Sequence, residues 1–184
     1  GTVESTLSRY TFPLVAANDD EVFLISLVDS SVAIKYADRY FVVCTRHQLK
    51  SWDLERISLL VDDGKYVISS GGVRQFTELN DSDFHDLTAF DFTEPCIARP
   101  FLRERFFELK ELPAETSSEE VVFLIASGYP FPDQNFALEY ERKLELRKRI
   151  VICTLDGSGR SRDEALMRIR AISPIDFDLD GMSG

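Results

Sequence analysis

Three residues of this chain have the best claim to chemistry: a serine between glycines, a histidine closing an apolar strand, and an aspartate opening another. The serine is Ser183, in Asp180-Gly181-Met182-Ser183-Gly184. Alone it is weak evidence, because Gly-x-Ser-Gly is also an ordinary flexible tail. Upstream, Phe41-Val42-Val43-Cys44-Thr45-Arg46-His47 reads as a strand ending on a histidine, and Asp86-Leu87-Thr88-Ala89-Phe90 as a strand headed by an aspartate. A serine hydroxyl is a poor nucleophile until a base takes its proton. Imidazole suits that work because it exchanges protons near neutral pH. A carboxylate beside it orients the ring and stabilises the imidazolium without itself taking the proton. The expected chemistry is acyl transfer, with His47 as general base, Asp86 as orienter and Ser183 as nucleophile. The backbone N–H groups of Gly181 and Ser183 would form the oxyanion hole, where a side chain at position 181 would obstruct the backbone.

Each role has a plainer rival. His47 also reads as a surface histidine at a strand end, Asp86 as a turn residue with Asp81 and Asp83 as competitors, and Ser183 as part of a polar tail. The chain has only two histidines, and His85 is taken as a bystander beside Asp86. The order His, Asp, Ser is one of three that unrelated triad folds use. With these residues in this order and context, the chain resembles the trypsin-like serine peptidases of the chymotrypsin fold, from roughly Ser31 to Gly184.

The resemblance implies an all-β fold of two antiparallel six-stranded-type barrels, with one short helix between or beside them. It implies hydrolysis of a protein or peptide substrate without metal or organic cofactor. It also places the floor of the primary specificity pocket six residues before the serine, at Phe177. A phenylalanine there would block a deep cationic pocket, whereas a shift of one residue would bring Asp176 or Asp178 to it, so arginine-type and small apolar specificity both stay open. Arg46 stands where the family has a small residue, and Gln48 where secreted members have a cysteine. Family members continue past the serine with strands that complete the second barrel, so that barrel is expected to be incomplete here. A terminal carboxylate at Gly184 would oppose the oxyanion and leave the chain weakly active or inactive. The alternative is a pseudopeptidase, a scaffold binding a peptide or neighbouring domain along an open strand edge.

The elements that must position these residues are mostly short strands. Glu21–Val28, Ser31–Tyr36 and Tyr40–Thr45 are separated by Asp29-Ser30 and Asp38-Arg39 turns. Ile57–Val61, Tyr66–Ser69, Val73–Thr77 and Leu87–Phe92 follow, broken by Asp62-Asp63-Gly64 and Gly71-Gly72. Phe101, Leu102, Arg105, Phe106 and Leu109 fit a helical stripe with a late start after Pro100. The polar stretch Pro113–Glu120 divides the chain into 1–112, a first barrel carrying His47 and Asp86, and 113–184, a second one ending at Ser183. The second half offers Val121–Ser127, Ala137–Leu146, Ile150–Leu155 and Leu166–Ile172 as strands.

Composition narrows the alternatives. At 44% hydrophobic and 29% charged, the 184 residues have the make-up of a folded globular chain. A net charge of −11 disfavours nucleic acid and anionic membranes, which are themselves negative. The basic cluster Arg142-Lys143 with Arg147-Lys148-Arg149 alternates with acidic and apolar residues, as on a solvated strand face. No apolar run reaches the length of a membrane span. Cys44, Cys96 and Cys153 lack metal-ligand spacing and are expected to be unpaired. Together with Gln48 this favours an intracellular, cytoplasmic setting.

Overall fold

The computed structural model describes residues 3–75, 86–110, 123–137, 143–156, 168–180 and 182. Its first half is built on one curled, antiparallel sheet. The strands are β1 (Thr11–Ala17), β2 (Ile25–Tyr36), β3 (Arg39–Thr45), β4 (Ile57–Val61), β5 (Tyr66–Ser69), β6 (Gly72–Gln75) and β7 (Leu87–Asp91), hydrogen-bonded in the order β5-β4-β1-β2-β3-β7-β6. The two ends of that path, β5 and β6, follow one another in the chain across Ser70-Gly71, so the sheet bends back towards itself. A short β8 (Phe107–Glu108) lies parallel to β2.

The strands form where β-branched and aromatic residues cluster, and burial follows the pleat. Leu14, Val28, Val42, Leu59, Phe90 and Phe92 meet in the main core. β1 and β4 are buried on both faces, because Val15 and Leu60 turn the other way and pack with Leu144. β2 and β3 join through Ala37-Asp38, both at positive φ (46° and 61°), a two-residue turn whose twist matches that of the strands.

Three expectations change. Asp29-Ser30 is not a turn: β2 runs straight through it, and both residues are fully buried. Their polar groups are satisfied internally, which lets them sit in a strand. Ser30 N–H and Thr45 Oγ1 donate to the Asp29 carboxylate at 2.7 and 3.0 Å, and Tyr129 N–H donates to Ser30 Oγ at 2.7 Å. The pairing of β1 with β2 slips at this point, since Leu14 faces Asp29 while Val15 faces Leu27, leaving Val28 as an extra residue. The second change is β1 itself, a strand the local pattern does not predict. Pro13 argues against a strand, yet pairing with β4 begins only beyond it, at Leu14. Third, the helical stripe after Pro100 is not an α-helix but a 3-10 turn over Pro100–Arg105; the short α-helices are α1 (Val3–Ser8) and α2 (Thr93–Ala98), the latter ending just before Pro100. Pro100 cannot continue α2, and the turn instead drops Leu102 into the core, with Phe106 buried just after it.

Beyond residue 122 the chain forms β9 (Leu124–Gly128), β10 (Asn135–Ala137), β11 (Lys143–Glu145), β12 (Arg149–Leu155) and β13 (Ile169–Ala171). β13-β12-β9 make one antiparallel sheet and β10-β11 a separate antiparallel pair, in which Ala137 faces Lys143, so the expected strand Ala137–Leu146 is not a single strand. Lys148 ties this half to the first: its ammonium donates to the carbonyls of Ser8 and Thr11 at 2.5 and 2.8 Å. The fold is all-β with a few short helices. Among the described residues no helix is long and apolar enough to cross a membrane.

Candidate active site

The antiparallel pairing of β3 and β7 decides where His47 and Asp86 fall. Thr45, the last residue of β3, lies opposite Leu87, the first of β7. The residues just outside the ladder, Arg46-His47 and Asp86, are thereby brought face to face. The chain leaves β3 into a 3-10 turn over His47–Leu49, pinned by buried Leu49 and by Leu49 N–H donating to Arg46 O at 3.0 Å. Asp86 holds this turn at three points. Its carbonyl accepts from Arg46 N–H at 2.9 Å, its Oδ1 accepts from His47 N–H at 2.8 Å, and its Oδ2 is hydrogen-bonded to His47 Nδ1. Both side chains are partly open to solvent.

With Nδ1–H donated to the carboxylate, the lone pair of the neutral ring lies on Nε2, which is the arrangement a general base needs. Gln48 Nε2 is 3.3 Å from that nitrogen, so its amide donates to Nε2 in this tautomer. The pairing of His47 with Asp86 was legible in the sequence; the contact from Gln48 was not. Arg46 meets Asp86 through its main chain, by the N–H to carbonyl bond above.

Ser183 and Gly181 lie outside the described residues, as do Asp81, Asp83 and His85. The residue between the first two, Met182, is described. It stands at the junction of β9 with β2: a Cβ built on Gly128 would lie 3.1 Å from Met182 Cα and 2.8 Å from Ser30 Oγ. Two main-chain bonds hold the approach to this point, from Phe131 N–H to Asp180 O at 2.8 Å and from Met182 N–H to Leu179 O at 3.0 Å. Phe177 is half-buried with its ring under the Arg149 guanidinium, 4.9 Å from ring centre to Cζ, and Arg149 is itself paired with Asp133.

The interior behind the site is acidic. Burial pushes the Asp29 carboxyl up to about 7, against the pull of its hydrogen bonds from Thr45 and Ser30, and the nearby Asp86 charge adds to the rise. Burial also raises the Cys44 thiol, with Asp29 and Asp86 adding to the effect, and pushes Cys96 up to about 12. Cys44, Cys96 and Cys153 are unpaired and buried. Two of them are thus held as thiols, unsuited to nucleophilic work. Among the described residues no group of three His, Cys, Asp or Glu is arranged to hold a metal ion. Asp29 and Gly128 are the neighbours that sequence reading missed. The signal for the first was a lone carboxylate between apolar runs, read as a turn.

No family model and no curated protein matches this chain.

Proposed function

We propose that the chain is a serine endopeptidase of the trypsin-like type, in which Ser183 attacks the peptide carbonyl, His47 takes and returns the proton, and Asp86 holds the ring. On this reading the curled sheet is the first of two barrels, and β9, β12 and β13 belong to the second. The observation that carries the proposal is the hydrogen bond of His47 Nδ1 to Asp86, reinforced by two main-chain bonds to the same aspartate. Such a carboxylate selects the tautomer and orientation of the base. The placement of Met182, one residue before Ser183 in sequence, against Gly128 and against Ser30 of β2 supports it further, because the neighbouring Asp29 of β2 is hydrogen-bonded to Thr45. The N–H groups of Gly181 and Ser183 would supply the oxyanion hole, and Phe177 is the residue proposed for the specificity pocket. The substrate is a protein or peptide.

A direct test is hydrolysis of a peptide library by the full-length protein, with products read by mass spectrometry. Cleavage should vanish in Ser183→Ala and His47→Ala and fall by roughly 10,000-fold in Asp86→Asn, which leaves the geometry but favours the wrong tautomer. Cleavage that survives Ser183→Ala would refute the assignment.

One observation favours a second reading, a scaffold that binds peptide without cutting it. Gln48 donates to the nitrogen that a base must keep free. If that contact persists with substrate bound, the imidazole cannot receive the serine proton, and Gln48→Ala should then create activity where the wild type has none.

A further inference from the structure

We infer that Asp29 is a positioning residue for the His47–Asp86 pair, holding the end of β3 through Thr45 and setting the electrostatic potential in which the imidazole works. Its catalytic meaning rests on the peptidase reading above, but the physical claim does not. Asp29 is fully buried in mid-strand, where an unpaired carboxyl is costly and an apolar residue would extend the Leu27-Val28 run before it. It is hydrogen-bonded to the strand that leads into the site: Thr45 Oγ1 donates to its Oδ2 at 3.0 Å. Thr45 is the last residue before Arg46-His47, whose amides are clamped by Asp86. One carboxyl therefore fixes the turn from behind, and the other from the front.

The groups facing Asp29 can be named element by element. β3 brings the Cys44 thiol and the hydroxyl and main-chain N–H of Thr45, and the residue ahead of β7 brings the Asp86 carboxylate. β1 places Leu14 opposite, and the main chain after β9 reaches Ser30 through Tyr129 N–H. An anion at Asp29 would add negative charge behind the carboxylate of Asp86, to which His47 Nδ1 is hydrogen-bonded. Burial places the ionisation of Asp29 at about 7, inside the range where a histidine works.

The test is the NMR titration of the His47 ring in the full-length protein, with His85→Gln in every sample so that one histidine is observed. Asp29→Asn keeps the shape and removes the charge. The His47 midpoint is expected to fall by roughly half a pH unit, the scale of one charge acting across a strand at a protein-like dielectric. Thr45→Val, which takes away one of the donors that favour ionised Asp29, should move it the same way by less. A folded Asp29→Asn protein whose His47 midpoint stays within about 0.1 unit of wild type overturns the inference, whatever happens to its stability. Should Asp29→Asn fail to fold, an unmoved midpoint in Thr45→Val overturns it instead. Loss of the peptidase reading would appear as absent hydrolysis, which leaves this titration untouched.

Discussion

Gly128 is where the account is most exposed to a single added methyl group. It ends β9 and is buried between Ser30 on β2 and Met182. A Cβ there would meet Ser30 Oγ at 2.8 Å, Met182 Cα at 3.1 Å and Met182 Cγ at 3.2 Å. The first distance is shorter than real Cβ contacts allow. Ser30 Oγ cannot simply retreat, since it accepts the Tyr129 amide at 2.7 Å. Gly128 is not among the residues at positive φ, so alanine is acceptable to its backbone and the effect is steric. Overpacking of this kind costs about 1–3 kcal/mol, less roughly 0.5 kcal/mol regained because alanine restricts the unfolded chain. The softer neighbour is the Met182 segment, and moving it by about 1 Å would cost on the order of 100-fold in rate if it carries the nucleophile. Urea unfolding and peptide hydrolysis on Gly128→Ala read the two effects separately. Met182→Ala in the same background should restore part of the stability, because it removes the Cγ contact but not the clash with Ser30. Gly128→Ala with wild-type stability and wild-type activity would show that β9, β2 and Met182 do not converge as described.

Two further outcomes are expected. Ala37 occupies a left-handed position at φ 46°, which costs an L-residue about 1 kcal/mol, so Ala37→Gly should raise stability by roughly 0.5 kcal/mol in urea unfolding; a loss would argue against this turn geometry. Asp29, pushed up to about 7, is protonated in the folded state and ionised in the unfolded state between about pH 4 and 7. The folded state binds the extra proton there, so this group's contribution to stability declines as pH rises across that window and levels off above it, by a few kcal/mol in all. Asp91 and Asp133, lowered by their hydrogen bonds and arginine partners despite burial, act oppositely and only at lower pH. Asp29→Asn should flatten the difference between urea midpoints at pH 5 and pH 8, and an unchanged difference would contradict the assignment.

Much of the first half was legible because its strands are short apolar runs between turn residues with definite backbone needs. Ile57–Val61 and Tyr66–Ser69 fall where the pattern puts them, with Asp62 and Asp63 at positive φ and Gly64 after them. His47 and Asp86 were legible because each abuts a strand, and antiparallel pairing then brings strand ends together. Asp29 was not, since local pattern treats a carboxylate between apolar runs as a break, while its acceptance depends on Thr45, sixteen residues away. β1 was obscured by Pro13, whose cost is local but whose tolerance depends on where β4 starts to pair. The close approach of Met182 to Gly128 joins residues far apart in sequence and leaves no periodic trace.

The central claim is that His47, oriented by Asp86, activates Ser183. It is tested most directly by treating the folded, full-length protein with a serine-directed fluorophosphonate and locating the adduct by peptide mass spectrometry. The reagent requires an activated hydroxyl and a formed oxyanion hole. One adduct is expected, on Ser183, lost in His47→Ala and strongly slowed in Asp86→Asn. A folded protein that stays unlabelled, or that labels equally well without His47, would contradict it.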